Sequence, residues 1–417
     1  MKKNKNKTIL VLLLAIVMTL SVVACNDAAQ PDNDSVEWQA EEASEYLSSI
    51  YDVSFEDGFS YVSFNEALLQ IFGTETVHVE AENGVTLAKA LVQAAEYDEL
   101  ALSYSDEKIS ERLKEYNVST GSEDARYVAA ALDADLINSE QANVLTDNGL
   151  LSDDDAAILL MNAAHAAGLG RNQLGLSSDP DISGKLMNAW NSFILFTDEI
   201  LYDAGRQAVE EKVVTGFNIK MSGYNSHFIS DRSLIYGHSD ITHARQLIKL
   251  LNSEAVEARV QLEPKISIYE YLIEWGPVPE PTPTYSVVQF SEDLYLANAV
   301  EYDLILEFSS REEMLRFDGI IEEYAKKYEG NEEGIGLIFG SWWQPLYSTA
   351  NVNMPEEYHQ IFDNVIFTDM FELHSFCLPE DRDIVKGAFE SFGLEVESVE
   401  RFANTAFYNY LGGTDFQ

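Results

Sequence analysis

The amino-acid sequence predicts an α+β fold in which a helical first part is followed by small α/β sandwich units. Three observations carry that expectation. Residues 38–210 place apolar side chains at helical spacing, whereas from Val213 onward runs rich in β-branched and aromatic residues alternate with single amphipathic helices. Hydrophobic residues make up 46% of the 417, which allows sizeable cores and two or three domains. A proline cluster near residue 280 punctuates the second part.

The first residues precede any fold. Lys2, Lys3, Lys5 and Lys7 lead into an apolar run of 12 residues, Ile9 to Leu20. That run is shorter than the roughly 18 residues of a bilayer span and has the form of a secretion signal. Val22-Val23-Ala24-Cys25 then resembles the lipobox of bacterial lipoproteins. The resemblance implies cleavage after Ala24, a diacylglyceryl group on the Cys25 sulfur, and a place on the outer face of a cell membrane. Such an anchor gains about 0.8 kcal/mol per buried methylene. Residues 1–24 are then a signal peptide and 25–37 a polar tether. The plainer reading is an ordinary secreted protein with a fortuitous cysteine. The remaining cysteine is Cys377, so with Cys25 acylated no disulfide within the chain is expected.

Charge narrows the partners. The formal net charge is −45, and without residues 1–24 there remain 22 basic against 71 acidic residues, or −49. Such a surface repels nucleic acid and anionic headgroups, so neither is an expected partner. The acidic stretch "LSDDDAA" has no following glycine turn and no distal bidentate glutamate, so a solvated exterior is expected in place of a calcium loop.

A helical module is expected over 38–180. "NGVTLAKALVQAA" and "NGLLSDDDAAILLMNAA" each follow an Asn-Gly turn, with Thr86 and Ser152 placed to cap a helix N-terminus. Ala88, Leu91, Val92 and Ala95 line one face of the first helix, and Ala156, Leu159, Leu160 and Ala163 repeat the pattern on the second. "ARYVAAALDADLIN" adds a helix ending near Asp135. The set resembles the S-layer homology family. Tyr127-Val128 with Leu136-Ile137 matches its first helix, and Leu151-Ser152, Asp155-Ala156-Ala157 and Leu159-Leu160 match its second. That likeness implies a helical fold. The arginine with which family members grip anionic wall polymer is replaced here by Leu87 and Asp153, so wall binding does not follow.

Residues 181–275 are expected to hold a connecting helix, Leu186 to Lys212, and a first α/β unit. Prolines at every second position from Pro277 to Pro283 mark an extended linker or edge-crossing loop over 276–285. Further α/β units fill 286–417. Helical stripes occur at Ile241, Ala244, Ile248 and Leu251; at Met314, Phe317, Ile321 and Tyr324; and at Val385, Ala388, Phe389 and Phe392. Strand-like runs follow each: "VEARVQL" with "ISIYEYL", "GIGLIFG" with "PLYSTA", and "LEVESVERF" with "TAFYNYL". A rhythm of strands and covering helices is ferredoxin-like, an analogy of fold that carries no function.

Candidate chemistry is sparse. His227, His238 and His243, with Asp231 and Asp240, hold metal-ligand chemistry. On one helix, however, His238 and His243 would point about 140° apart. Asp240 suits the cap of the 241–251 helix, and the histidines then serve as surface or strand partners. His374 and Cys377, three apart on a strand, face opposite ways, which suits a buried inert thiol. Trp342, Trp343 and Tyr347 form an aromatic group whose exposed member has the chemistry to stack on a sugar or anchor a partner; core packing is the plainer reading. No phosphate loop, nucleophile elbow or zinc helix occurs, and no cofactor is implied. The expectation is therefore a non-catalytic, membrane-anchored lipoprotein that binds or organises a cell-wall polymer or surface protein. An extracytoplasmic enzyme acting on wall glycan or peptide, or a metal-capturing lipoprotein, is the alternative.

Overall fold

In the computed structural model, residues 36–55, 58–147, 149–193, 198–292, 294–326, 338–339, 346–347, 358–368 and 370–413 are described. The chain divides after Ala167 into two compact units. Cys25, Trp342 and Trp343 lie outside the described residues, as do the signal and most of the tether.

The first unit is helical: α1 (Val36–Tyr51), α2 (Tyr61–Phe72), α3 (Gly84–Ala94), α4 (Asp98–Ser103), α5 (Asp106–Glu115), α6 (Ala125–Asp133), α7 (Ser139–Thr146) and α8 (Asp153–Ala166). Helix α8 packs on α1, α2 and α3, and α3 packs in turn on α6 and α7. The two predicted apolar faces, Ala88 to Ala95 and Ala156 to Ala163, are buried. Ser152 caps α8 as expected, accepting from Asp155 N at 3.1 Å. At α3 the cap is Asn83 and not Thr86. Thr86 sits one turn in and accepts from the Asn83 amide at 3.0 Å, completing a reciprocal box. Gly84 is required there by contact, since a Cβ would fall 2.2 Å from the Leu145 carbonyl oxygen on α7.

The second unit is a curled antiparallel sheet with helices on its outer face. Its strands are β1 (Gly175–Leu176), β2 (Gly216–Met221), β3 (Ser233–His238), β4 (Ala258–Glu270), β5 (Tyr285–Gln289), β6 (Tyr295–Phe308), β9 (Leu346–Tyr347), β10 (Tyr358–Phe367), β11 (Phe371–Cys377) and β12 (Glu397–Asn404). A separate two-stranded pair joins β7 (Ala325–Lys326) to β8 (Ile338–Phe339). The pairings run β4-β2-β11-β10-β12-β9-β3-β6, and β6 pairs back onto β4, so the sheet curls round an inner face.

Strand runs expected in separate sandwiches thus share one sheet. "VEARVQL" and "ISIYEYL" are continuous in β4. Pro264 is tolerated because it falls between the stretches that pair with β1 and with β2 on that edge. The proline-rich stretch lies within this unit as the connection into β5, where Thr282 bridges Tyr285 and the Tyr271 hydroxyl donates to Gly276 O at 3.2 Å.

Helices α9 (Ile182–Ser192), α11 (Ile241–Ser253) and α12 (Arg311–Tyr324) pack on one part of the outer face, where Leu247, Leu251, Met314 and Phe317 meet Val260, Leu262, Leu304 and Leu306. Helices α10 (Glu199–Glu210) and α13 (Arg382–Ser391) cover another, where Leu201, Val385 and Phe389 meet Phe217, Ile219, Ile268 and Leu373. Each fully buried side chain of this size contributes about 1.5–3 kcal/mol. The single helix expected over 186–212 is two, because Phe193 is extended and Asp198 starts a new helix by accepting from Leu201 N at 2.9 Å. "TAFYNYL" is likewise helical, as α14 (Thr405–Leu411). Its Phe407 and Tyr410, three apart, pack beside Tyr269 and Tyr271 of the matching "YEYL" phrase.

Candidate functional site

Side chains alternate across a strand, so each strand that gives the outer core its apolar residues must turn the intervening ones inward. On β4 those are Gln261, Glu263, Lys265, Ser267 and Tyr269; on β6 they are Glu301, Asp303, Ile305 and Glu307. Strand β2 adds Asn218 and Lys220, β10 adds Asp363, and β11 adds Glu372, His374 and Phe376. A curled sheet therefore gathers acids and bases from distant strands onto one buried face.

Those charges are matched. Lys220 Nζ lies 2.6 Å from Asp303 Oδ2 and 3.0 Å from Glu263 Oε2, and Lys265 Nζ lies 2.7 Å from Asp303 Oδ1. Burial alone lowers the Lys220 pKa, but Asp303 and Glu263 outweigh it and hold the amine above the ordinary lysine range. Burial alone raises the Asp303 pKa, and the two lysines bring it well below the usual carboxylate range. Gly237 leaves the space for this group, since a Cβ would sit 3.1 Å from Asp303 Oδ1.

His374 is clasped by Asp363 (Nδ1 to Oδ2, 3.0 Å) and Glu372 (Nε2 to Oε2, 3.3 Å). Burial works against its charge, but the two carboxylates, one facing each ring nitrogen, raise its pKa. Arg401 Nε stands 3.8 Å from the same Asp363 oxygen. Glu301 is different: burial, opposed by Lys265 and a hydrogen bond from Ser267, raises its pKa. Further along the inner face Glu307, whose side chain is fully buried, receives Arg171 Nε at 2.9 Å and Arg232 Nη2 at 3.0 Å.

Two cavities open on this face. One of about 160 Å³ is lined by Lys220, Glu263, Asp303, Asp363, Glu372 and His374, together with His227 and Arg401. A smaller one, about 50 Å³, is lined by Asn218, Lys265, Tyr269, Glu301 and the α14 residues Phe407 and Tyr410. Asp303 and Phe376 line both. Two buried acceptors, Asp363 Oδ1 and Asn218 Oδ1, have no hydrogen-bond partner among the described residues.

The histidines named from sequence separate into two places. His227 Nδ1 lies 3.4 Å from the Leu169 carbonyl and lines the larger cavity. His238 and His243 meet, Nε2 to Nδ1 at 2.9 Å, because His238 ends β3 and does not share the helix of His243. Asp240 N donates to His238 Nδ1 at 2.8 Å, so neutral His238 carries its proton on Nε2 and donates to His243. Among the described residues no group of three or more His, Cys, Asp or Glu is placed to hold one. Asp240 caps α11 as expected. Tyr347 is on β9, its backbone paired with Phe402 and Leu234. Cys377 faces the outer core, away from His374, and burial pushes its thiol up to about 11.

The pair also sets a pH dependence. Burial, then His243, lowers the His238 pKa from 6.5 to about 4. The unfolded chain binds this proton first, so stability is full above 6.5 and falls as pH drops toward 4. After discounting for solvent screening the loss is about 1–2 kcal/mol. Urea unfolding across that range should show the slope, and His238→Ala should flatten it. His374 works oppositely: its stabilisation is full below 6.5 and is lost as pH rises through its raised pKa.

No family model, curated protein or solved structure matches the chain. No helix among the described residues is long and apolar enough to cross a membrane.

Proposed function

We propose that this chain is a lipoprotein held at Cys25 on the outer face of a membrane, and that it binds a small component of the cell envelope on the inner face of the curled sheet. The larger cavity, with its partnerless Asp363 oxygen, carries the reading. Water or ligand must meet such an atom, because an unsatisfied buried acceptor costs about 1–3 kcal/mol. Binding is favoured over catalysis because Lys220, Lys265, Asp303, Asp363, Glu372 and His374 are all tied into ion pairs. Glu301 favours the second reading, an extracytoplasmic enzyme, since a carboxyl raised by burial beside Tyr269 suits a general acid.

For the helical unit we propose an S-layer homology-like fold, supported by its buried helix faces Ala88 to Ala95 and Ala156 to Ala163. Leu87 is fully buried and the Asp153 carboxylate accepts from Phe59 N, so neither position offers a cation to a wall polymer. The helices that cover strands in the second unit support the ferredoxin-like reading only as an analogy of fold. Trp342, Trp343 and Tyr347 are proposed as a separate contact for a surface partner. Membrane fractionation tests the anchor: Cys25→Ala should move the chain from the membrane to the soluble fraction, and mass spectrometry of the parent chain should find the acylated cysteine. A parent chain that is soluble and unacylated would remove the lipoprotein reading.

A further inference from the structure

We infer that the inner face takes a small, uncharged, hydroxyl-rich molecule, of the size of a short polyol or a single sugar ring. The inference rests on reading this face as a binding site and names its ligand class. The partnerless atoms, Asp363 Oδ1 and Asn218 Oδ1, are both acceptors, belong to residues 2% and 6% exposed, and line the larger and the smaller cavity respectively. A ligand that completes them must therefore bring O–H or N–H donors.

Charge selects between the donor classes. The cations Lys220, Lys265, His374 and Arg401 stand among the carboxylates Glu263, Asp303, Asp363 and Glu372, and burial raises the pKa of Glu301 beside them. Each cation lining the two cavities has a carboxylate near it. An anion would have to displace a carboxylate from its lysine or histidine, and a cation would have to displace a lysine from its carboxylate. A neutral polyol asks for neither. The larger cavity corresponds to about five waters at roughly 30 Å³ each. Phe376, Phe407 and Tyr410 line the smaller one, and aromatic side chains suit the C–H face of a polyol.

The full mature chain is tested by calorimetry against three probe sets: erythritol, ribose and glucose; phosphate and acetate; ethylammonium. Binding of a polyol or sugar, with anions and ethylammonium silent, is the expected result. Asn218→Ala should weaken it several-fold and Asp363→Asn about tenfold. Asp363→Asn also loosens His374, so Asn218→Ala, which breaks no ion pair, is the variant that decides if the first fails to fold. Binding of only the anions or only ethylammonium overturns the ligand class and leaves the binding site standing. Unchanged affinity in a folded Asn218→Ala variant places the polyol elsewhere and overturns the inference. Silence from all three sets overturns the binding reading itself.

Discussion

Glu307→Ala is expected to lower the stability of the second unit by about 3–5 kcal/mol, the range for removing one partner of a buried ion pair. The Glu307 side chain is fully buried, while those of Arg171 and Arg232 are 5% and 10% exposed. Removing the carboxylate takes this anion away from two buried guanidinium groups that cannot lose a proton. Arg232 keeps a bond to Ser309 O at 3.2 Å, which is a poor substitute for an anion. Glu307 also accepts from Ile229 N, so the variant frees a buried amide as well. Glu307→Gln keeps the volume and an acceptor and should lose less. The triple variant Arg171→Met, Arg232→Met, Glu307→Leu should recover most of the loss, because the cost lies in the uncompensated charge and not in the space. Urea unfolding at neutral pH measures all three. A loss for Glu307→Ala below about 1 kcal/mol, the scale of an exposed pair, would show that this group is wet in solution.

Much of the architecture is legible in sequence because it is local. The stripes Ala88 to Ala95 and Met314 to Ile321, and the caps at Ser152 and Asp240, depend on neighbours within a turn or two, and each is found where expected. The inner face is not legible that way. Gln261, Glu263 and Lys265 alternate with apolar residues as they would on a strand with one solvated side. Only the pairing of β6 back onto β4 turns that side inward. Lys220 and Glu263 are 43 residues apart, and nothing within either strand names the other. The signal that was available is that consecutive strands carry both signs of charge at alternate positions while the exterior is overwhelmingly acidic. His374 shows the same limit: beside Cys377 it reads as half of an improbable thiol pair, and its true partners are Glu372 on its own strand and Asp363 on the next. Tyr269-Glu270-Tyr271-Leu272 and Tyr408-Asn409-Tyr410-Leu411 share a phrase but not a conformation, since one ends a paired strand and the other packs as a helix. Burial in one aromatic cluster is what they have in common.

Lys220→Met is the second large effect. It leaves Glu263 and part of Asp303 unpaired in the interior, and a loss of about 3–5 kcal/mol is expected near neutral pH. The pH profile carries more information than the size. In the parent chain Asp303 contributes stability that is present above its ordinary 3.8 and is lost as pH falls through its lowered value. Lys220 contributes stability that is full below 10.5 and is lost as pH rises through its raised value. The gap between parent and variant should therefore be widest between those two limits. It should narrow in acid, where the stranded carboxylates take up protons. The double variant Lys220→Met, Glu263→Met removes both ends of one pair and leaves Asp303 with Lys265, so its stability should return to within about 1–2 kcal/mol of the parent. If burying ions here served only the fold, nothing further would change. If the charges instead hold the cavity walls for a ligand, the double variant folds normally yet loses the polyol, because the polar wall beside Asp303 has become apolar. A folded double variant that still binds as tightly as the parent would separate the ion pairs from the site.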